Sequence, residues 1–313
     1  FAKQMKRAAK MPWLYNTLVG SSVSSGLLKR ALGFAAKRSL PKLGKFTLAS
    51  WFKKHPPHPN AGSRGSVYLF CDEFTNYSDP QVGVAAVETL ERLGWAVEIP
   101  DHAESGRAAM SKGLLRMARG FAETNVQQLA ALVSADKPLI GLEPSAILSF
   151  RDEYPVLVGP ELRAKAAELA TNVFMFDEFF QKQVDAGKIS KDQFVSFDGD
   201  AGHGKTIRLH GHCHQKALAS LKPTIQMLQL PPGNRVRIIA AGCCGMAGSF
   251  GYEAEHYEVS MQIGELVLFP AVRAEPESSL IAAPGTSCRH QIADGTGRVA
   301  LHPVQIMREC LKE

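Results

Sequence analysis

No Asp or Glu occurs before position 72, although the same stretch holds thirteen Lys and Arg. The leading segment is therefore strongly basic, the remainder is net acidic, and the whole chain carries a formal charge of +6. Long apolar runs are lacking as well. No uncharged stretch reaches the roughly 18 residues that a spanning helix requires, so no transmembrane segment is expected. Cysteine is sparse, at six in 313 residues. That excludes the disulfide framework of a small secreted domain and points to a reducing, cytoplasmic setting. The chain starts at Phe1 rather than Met, with no signal-peptide order behind it, and reads as a piece of something longer. What remains, 45% hydrophobic and 21% charged, is ordinary for a globular body of about two domains.

Residues 1–54 mix apolar and basic side chains at helical spacing, as in Met11-Pro12-Trp13-Leu14-Tyr15 and in the run from Leu27 to Arg38. A basic amphipathic helical arm is expected. It has three readings: a peripheral contact with the inner face of the cytoplasmic membrane, a docking arm for an acidic partner domain, or a solvated extension. Nucleic acid is disfavoured, because no recognised binding motif accompanies the charge. Pro and Gly make residues 55–65 a linker.

From residue 66 strands and helices alternate. Strands are expected at 66–71, 96–100 and 138–143, helices at 80–94, 107–121 and 125–134, and a helical stretch at 161–183 with an aromatic break at 174–180. Strands at 206–212, 235–241, 279–283 and 298–302 follow, and a helix over 303–311 closes the chain. This order predicts an α/β fold of two duplicated, parallel-sheet, Rossmann-like lobes, 66–200 and 201–313, preceded by the arm.

The chemistry concentrates in Gly242-Cys243-Cys244-Gly245. Two adjacent thiols flanked by glycines, after the run from Val236 to Ala240, predict a strand end turning into a helix start. Such a place favours a thiolate and lets the backbone approach an anion or cluster. Adjacent cysteines bridge to each other poorly; the bland alternative is two buried small hydrophobes. Laying the halves over each other is informative. Cys213 to Cys244 spans 31 residues and Cys244 to Cys288 spans 44, against 34 from Cys71 to Ser105 and 41 from Ser105 to Ala146. Cys243-Cys244-Gly245 then falls on Glu104-Ser105-Gly106, and Thr286-Ser287-Cys288 on Pro144-Ser145-Ala146. Cys213, Cys243, Cys244 and Cys288 would meet where the strands of the second sheet end, the rim at which parallel sheets bind ligands. Four thiolates suit an iron-sulfur cluster or zinc. His210, His212, His214 and His290 would serve as substitute ligands or outer hydrogen-bond donors, although packing is the commoner role of a single His. The first lobe keeps only Cys71, and no metal is expected there. Asp72, Glu104 and Arg107 would form a polar pocket, or else a surface ion pair.

Gly211-His212-Cys213-His214, Gly242-Cys243-Cys244-Gly245 and Ser287-Cys288 resemble the cysteine-rich CCG domain found in heterodisulfide reductase and in glycolate oxidase and lactate-utilisation iron-sulfur proteins. Ser111-Lys112-Gly113-Leu114-Leu115 and Gly141-Leu142-Glu143-Pro144-Ser145 more closely resemble the C-terminal part of FAD-linked D-2-hydroxyacid dehydrogenases of the D-lactate and D-2-hydroxyglutarate type. The likeness spans about residues 66–311. It implies Cys213, Cys243, Cys244 and Cys288 as metal ligands, with Gly242, Gly245, His212 and His214 around the cofactor. In that family a flavin domain oxidises the hydroxy acid and a ferredoxin-like domain relays electrons. This sequence shows neither a flavin-binding stretch nor a Cys-x-x-Cys motif. The resemblance therefore implies an electron-transfer or docking module with no catalytic residue of its own, and FAD only on a missing domain or partner. One departure matters: Gln291 stands where the family motif ends in a second thiol. A double cluster held by five cysteines is thereby disfavoured, leaving a single 4Fe-4S cluster or zinc.

Rival readings remain at this level. Gly199 to Thr206 carries the letters of a phosphate-binding loop, but a strand rather than a helix is expected after it. Cys213 between two histidines suggests a Cys-dependent hydrolase, yet neighbours on a strand point to opposite faces. A noncatalytic scaffold stabilised by zinc is the third.

Overall fold

The computed structural model describes residues 2–197 and 204–312. Two parallel four-stranded sheets carry the body. The first joins β1 (Gly65–Leu69), β2 (Trp95–Glu98), β3 (Leu139–Gly141) and β4 (Val173–Met175) in the order β2-β1-β3-β4. The second joins β5 (Thr206–Leu209), β6 (Arg235–Ile238), β7 (Leu280–Ala282) and β8 (Ala300–Leu301) in the order β6-β5-β7-β8. The strand order is the same in both, so the duplicated α/β architecture expected from the sequence is present. The expected boundary near 200 and the start of the loop-like motif at Gly199 lie outside the described residues. From Thr206 onward that motif runs as strand, with Ile207 paired to Val236 and Leu280.

Alternation explains how β1 is covered on both faces. Val67 and Leu69 enter one apolar cluster with Val82, Val87 and Leu90 of the helix Pro80–Arg92. Phe70, just past the strand, enters a second with Val126, Leu129 and Phe150. The first cluster does not stop at the lobe boundary. It continues through Ile207, Leu209 and Ala282 to Val304, Ile306 and Met307 of the closing helix Pro303–Glu309. That helix packs on Pro80–Arg92 of the first lobe, and Leu311 forms an antiparallel bridge with Phe194.

Three expectations need correction. Residues 161–183 are a helix (Pro160–Ala170), the short strand β4, and a second helix (Phe176–Asp185); three residues of strand between two helical patterns leave little periodicity to read. The helix expected over 107–121 is interrupted. Arg107–Ser111 ends at Gly113, whose φ of +68° is left-handed, and Leu115–Leu129 follows. The arm is helical at Ala2–Ala8, Pro12–Gly20, Ser22–Leu32 and Leu48–Phe52, but 33–47 is a strap without a helix. That strap lies on the body: Phe34 bridges Glu253, and the Gly44 amide donates to Tyr77 O at 2.8 Å.

His302 ties the lobes. Its Nδ1 accepts from the Val304 amide at 3.1 Å while Nε2 reaches the Leu142 carbonyl of the first lobe at 3.2 Å. One nitrogen accepting and the other donating requires the neutral ring. Burial, reinforced by the nearby Arg289 cation, depresses its pKa to about 3. In the unfolded chain the ring takes up a proton near pH 6.5, so this group's contribution to stability is full above that pH and is lost as pH falls toward 3. Asp72 and Asp177, raised to about 8 and about 6 chiefly by burial, act in the opposite sense. The measurement is therefore a difference. Urea unfolding of the wild type and of His302→Asn between pH 7 and 4.5 should show the wild type losing stability more steeply on acidification, by up to about 1.4 kcal/mol per pH unit; parallel curves would contradict this role.

Candidate metal centre

The loops after β5, β6 and β7 bring the four expected thiols together. Cys213 opens the helix Cys213–Leu218 directly after β5, and Cys288 lies in the first turn of Thr286–Thr296 after β7. Cys243 and Cys244 follow β6. They do not begin a helix: the chain stays irregular to the short 3-10 turn Phe250–Tyr252, and the next α-helix is Tyr257–Leu266. The helix start expected there is absent because Gly245, at φ +98°, and Ala247, at φ +41°, turn the backbone left-handed. Cys213 pairs with Cys243, Cys243 with Cys244, and Cys244 with Cys288. The row runs inward, from exposed Cys213 through half-buried Cys243 to buried Cys244 and Cys288, and all four are free thiols.

Protons are shared along this row. Pairing with Cys213 and Cys244 lowers the Cys243 thiol, and the Gly245 amide, 3.3 Å from its sulfur, helps. Pairing with Cys244, aided by the His210 and His212 imidazoles, holds Cys288 well below the ordinary thiol range. Cys213 and Cys244 are raised in return, mainly because each faces Cys243. Cys244 and Cys288 lie with His210 in a group whose donor atoms are within 4.8 Å of one another, and Cys213 does so with His212 and His214. The sulfur donors fit a thiophilic metal or cluster, which takes thiolates and releases their protons.

Several residues hold the rim. The Lys216 ammonium donates to Ala241 O at 2.6 Å and to Gly242 O, fixing the chain before the thiols. With Cys213, Ala217 and Ile238–Gly242 it lines an open depression. Gly245 is required sterically: a Cβ there would fall 2.2 Å from Ser260 O. Gly242 has no atom within 4 Å of such a position, so crowding does not explain it. His212 caps the Cys213 helix by accepting from the His214 amide at 3.2 Å, and its Nε2 lies 3.8 Å from Glu143 Oε1. His214 faces Arg107 of the first lobe at 3.2 Å. His290 is turned away from the thiols, toward Ser39 and the Tyr252 hydroxyl.

Arg38 gave no signal in the sequence, standing among exposed basic residues of the arm. Its side chain is fully buried. The guanidinium donates to Gly251 O at 2.8 Å, Gln291 Oε1 at 2.6 Å, Ser260 Oγ at 3.1 Å and Asp294 Oδ2 at 3.1 Å. One side chain thus joins the turn after the Cys-Cys loop, the helix beneath it and the helix that carries Cys288. Gln291, which stands where the resemblance would place a further thiol, is held by this cation.

The first lobe repeats the geometry with other groups. Glu73 lies four residues beyond the end of β1, as Cys213 lies four beyond the end of β5. The counterpart of Cys213 by position is therefore Glu73 rather than Cys71. Gly106, at φ +75°, matches Gly245. Glu73 accepts from the Ser105 amide at 2.9 Å and its hydroxyl at 2.7 Å, a buried carboxylate-hydroxyl pair where the second lobe has thiols. Of the three residues expected to form a polar pocket or a surface ion pair, Asp72 and Arg107 have partners of their own. Asp72 caps its own helix through Phe74 and Thr75, while Arg107 pairs with Glu153.

No family model matches the chain. It is 29% identical over 248 residues to D-2-hydroxyglutarate dehydrogenase of Escherichia coli (strain K12), an alignment covering 79% of this chain and 23% of that protein. It is 24% identical over 300 residues to a subunit of the same organism's anaerobic glycerol-3-phosphate dehydrogenase, with 95% of this chain and 72% of that subunit covered. Lactate utilization protein A of Geobacillus kaustophilus (strain HTA426) is 26% identical over 236 residues, 72% of this chain and 89% of that protein. The chain thus spans less than a quarter of the hydroxyglutarate dehydrogenase, and its similarities are to oxidoreductase components.

Removing a buried cation while leaving its partners in place costs about 3–5 kcal/mol. Arg38→Met should lose stability on that scale in urea titration. Arg38→Lys, which keeps the charge without the planar fork, should recover only part. A loss below about 1 kcal/mol for Arg38→Met would remove Arg38 from the structural account.

Proposed function

We propose that this chain is the iron-sulfur electron-transfer module of an FAD-linked 2-hydroxyacid oxidoreductase, with Cys213, Cys243, Cys244 and Cys288 as cluster ligands. The observation that carries the reading is the continuous row of those four free thiols at one sheet rim. The similarities to dehydrogenase components agree with it. When bound, a cluster of this kind accepts and returns single electrons. The chain's own residues supply the remainder. Arg38 and Lys216 fix the loop, Met246 with Ile281 and Ile292 packs an apolar wall around the inner thiols, and exposed Cys213 marks the side open to a partner.

The partner on this reading carries the flavin and a ferredoxin-like relay, on the cytoplasmic side. The arm supports a docking role: Trp13 and Leu27 are 67% and 70% exposed on a segment without acidic residues. No helix among the described residues is long and apolar enough to cross a membrane. The mixed donor group of His210, Cys244 and Cys288 also suits zinc, and a zinc-stabilised scaffold is the second reading.

Anaerobic reconstitution decides between the two. Protein loaded with ferrous iron and sulfide should turn brown and retain about four of each per chain for a 4Fe-4S cluster. Cys→Ser changes at 213, 243, 244 or 288 should each reduce that content severalfold, whereas Cys71→Ser and Cys310→Ser should not. Retention of zinc alone, or of no metal, would overturn the electron-transfer role.

A further inference from the structure

His210 directly follows β5, and its amide still donates to Ala282 O of β7 at 2.9 Å, so the backbone holds it at the strand end from which the thiol loops depart. Its side chain is fully buried. Neither ring nitrogen meets an oxygen or nitrogen partner among the described residues. Buried imidazoles are ordinarily satisfied by such a partner; here the group that meets the ring is Cys288, with which it shares a hydrogen bond.

The ring is aimed at sulfur instead. A His210 nitrogen and the sulfurs of Cys244 and Cys288 all lie within 4.8 Å of one another. With metal-ligand bonds of about 2.0–2.3 Å, donors of one tetrahedral ion sit roughly 3.5 Å apart, so a small side-chain adjustment suffices. The other imidazoles at the rim are committed. His212 caps a helix and faces Glu143, His214 faces Arg107, and His290 faces Ser39 and Tyr252. Gln291 is committed too, accepting from Arg38 and donating to Ser260 O at 3.0 Å.

We propose that His210 is a ligand of the centre, a fifth donor beside the four thiolates, standing in for the thiol whose place Gln291 takes. The inference rests on metal occupancy of the cysteine site but not on which metal. The neutral imidazole donates a nitrogen lone pair without losing a proton, while the thiols release theirs to solvent as they bind; no electron transfer is required for binding.

The full chain, labelled with 14N- or 15N-histidine and reconstituted anaerobically with ferrous iron and sulfide, is reduced and read by pulsed electron paramagnetic resonance. A strong nitrogen coupling that scales with the isotope and disappears in His210→Cys is the expected result. That variant offers a thiolate at the same position. It should keep its iron and sulfide while its midpoint potential shifts downward, because thiolate ligation lowers the potential relative to imidazole. Absence of the coupling in loaded wild type, or its persistence in His210→Cys, overturns the assignment and leaves the iron-sulfur reading standing. If the wild type takes zinc rather than iron and sulfide, the electron-transfer reading falls and zinc X-ray absorption tests His210 separately. One nitrogen among sulfurs, lost in His210→Cys, supports the ligand; an all-sulfur shell refutes it.

Discussion

Parallel strands release every following loop at the same rim, and in the second sheet three successive releases carry thiols. The constraint on the rest of the molecule is that four polarisable, ionisable sulfurs share one small volume. They cannot all ionise side by side in a half-buried place, and hydrogen bonding lets only alternate members lower their pKa. Their neighbours are placed accordingly. Amide N–H groups, imidazoles and the Lys216 ammonium surround the row, while carboxylates stay a step away, as Glu143 does behind His212.

Comparison of the lobes shows what that constraint changes. The same strand order and the same left-handed glycine turn recur, so backbone geometry does not require sulfur. Where Glu73 and Ser105 meet, two protein groups satisfy each other and the rim is closed with a hydrogen-bonded plug. Where thiols meet, the mutual satisfaction is weak, because sulfur is a poor donor and acceptor. The first lobe consequently acts as a wall for the second, with Arg107 reaching His214 across the seam.

The alternating order, the two sheets and the meeting of Cys213, Cys243, Cys244 and Cys288 were legible, because strand ends and cysteine positions are both written locally. Three features were not. β4 is too short to impose a period between two helices. The loop after Cys244 looked like a helix start because its glycines are compatible with either structure, and only the left-handed φ of Gly245 decides. Arg38 was invisible because burial of a cation depends on partners more than 200 positions away, at Gly251, Ser260, Gln291 and Asp294. The pairing of Glu73 with Cys213 was missed for a simpler reason: letters were aligned on the surviving cysteine, while the fold aligns on distance from a strand end.

The return of Pro303–Glu309 onto Pro80–Arg92 bears on how the chain is made. Val87 and Leu90 share a cluster with Met307, Cys310 and Leu311, so during synthesis the earlier lobe leaves the ribosome with an apolar helix face uncovered. It stays uncovered until more than two hundred further residues have been added. Translation therefore cannot complete the first lobe's core before the closing helix emerges, and over that interval the face is open to chaperones and to wrong partners.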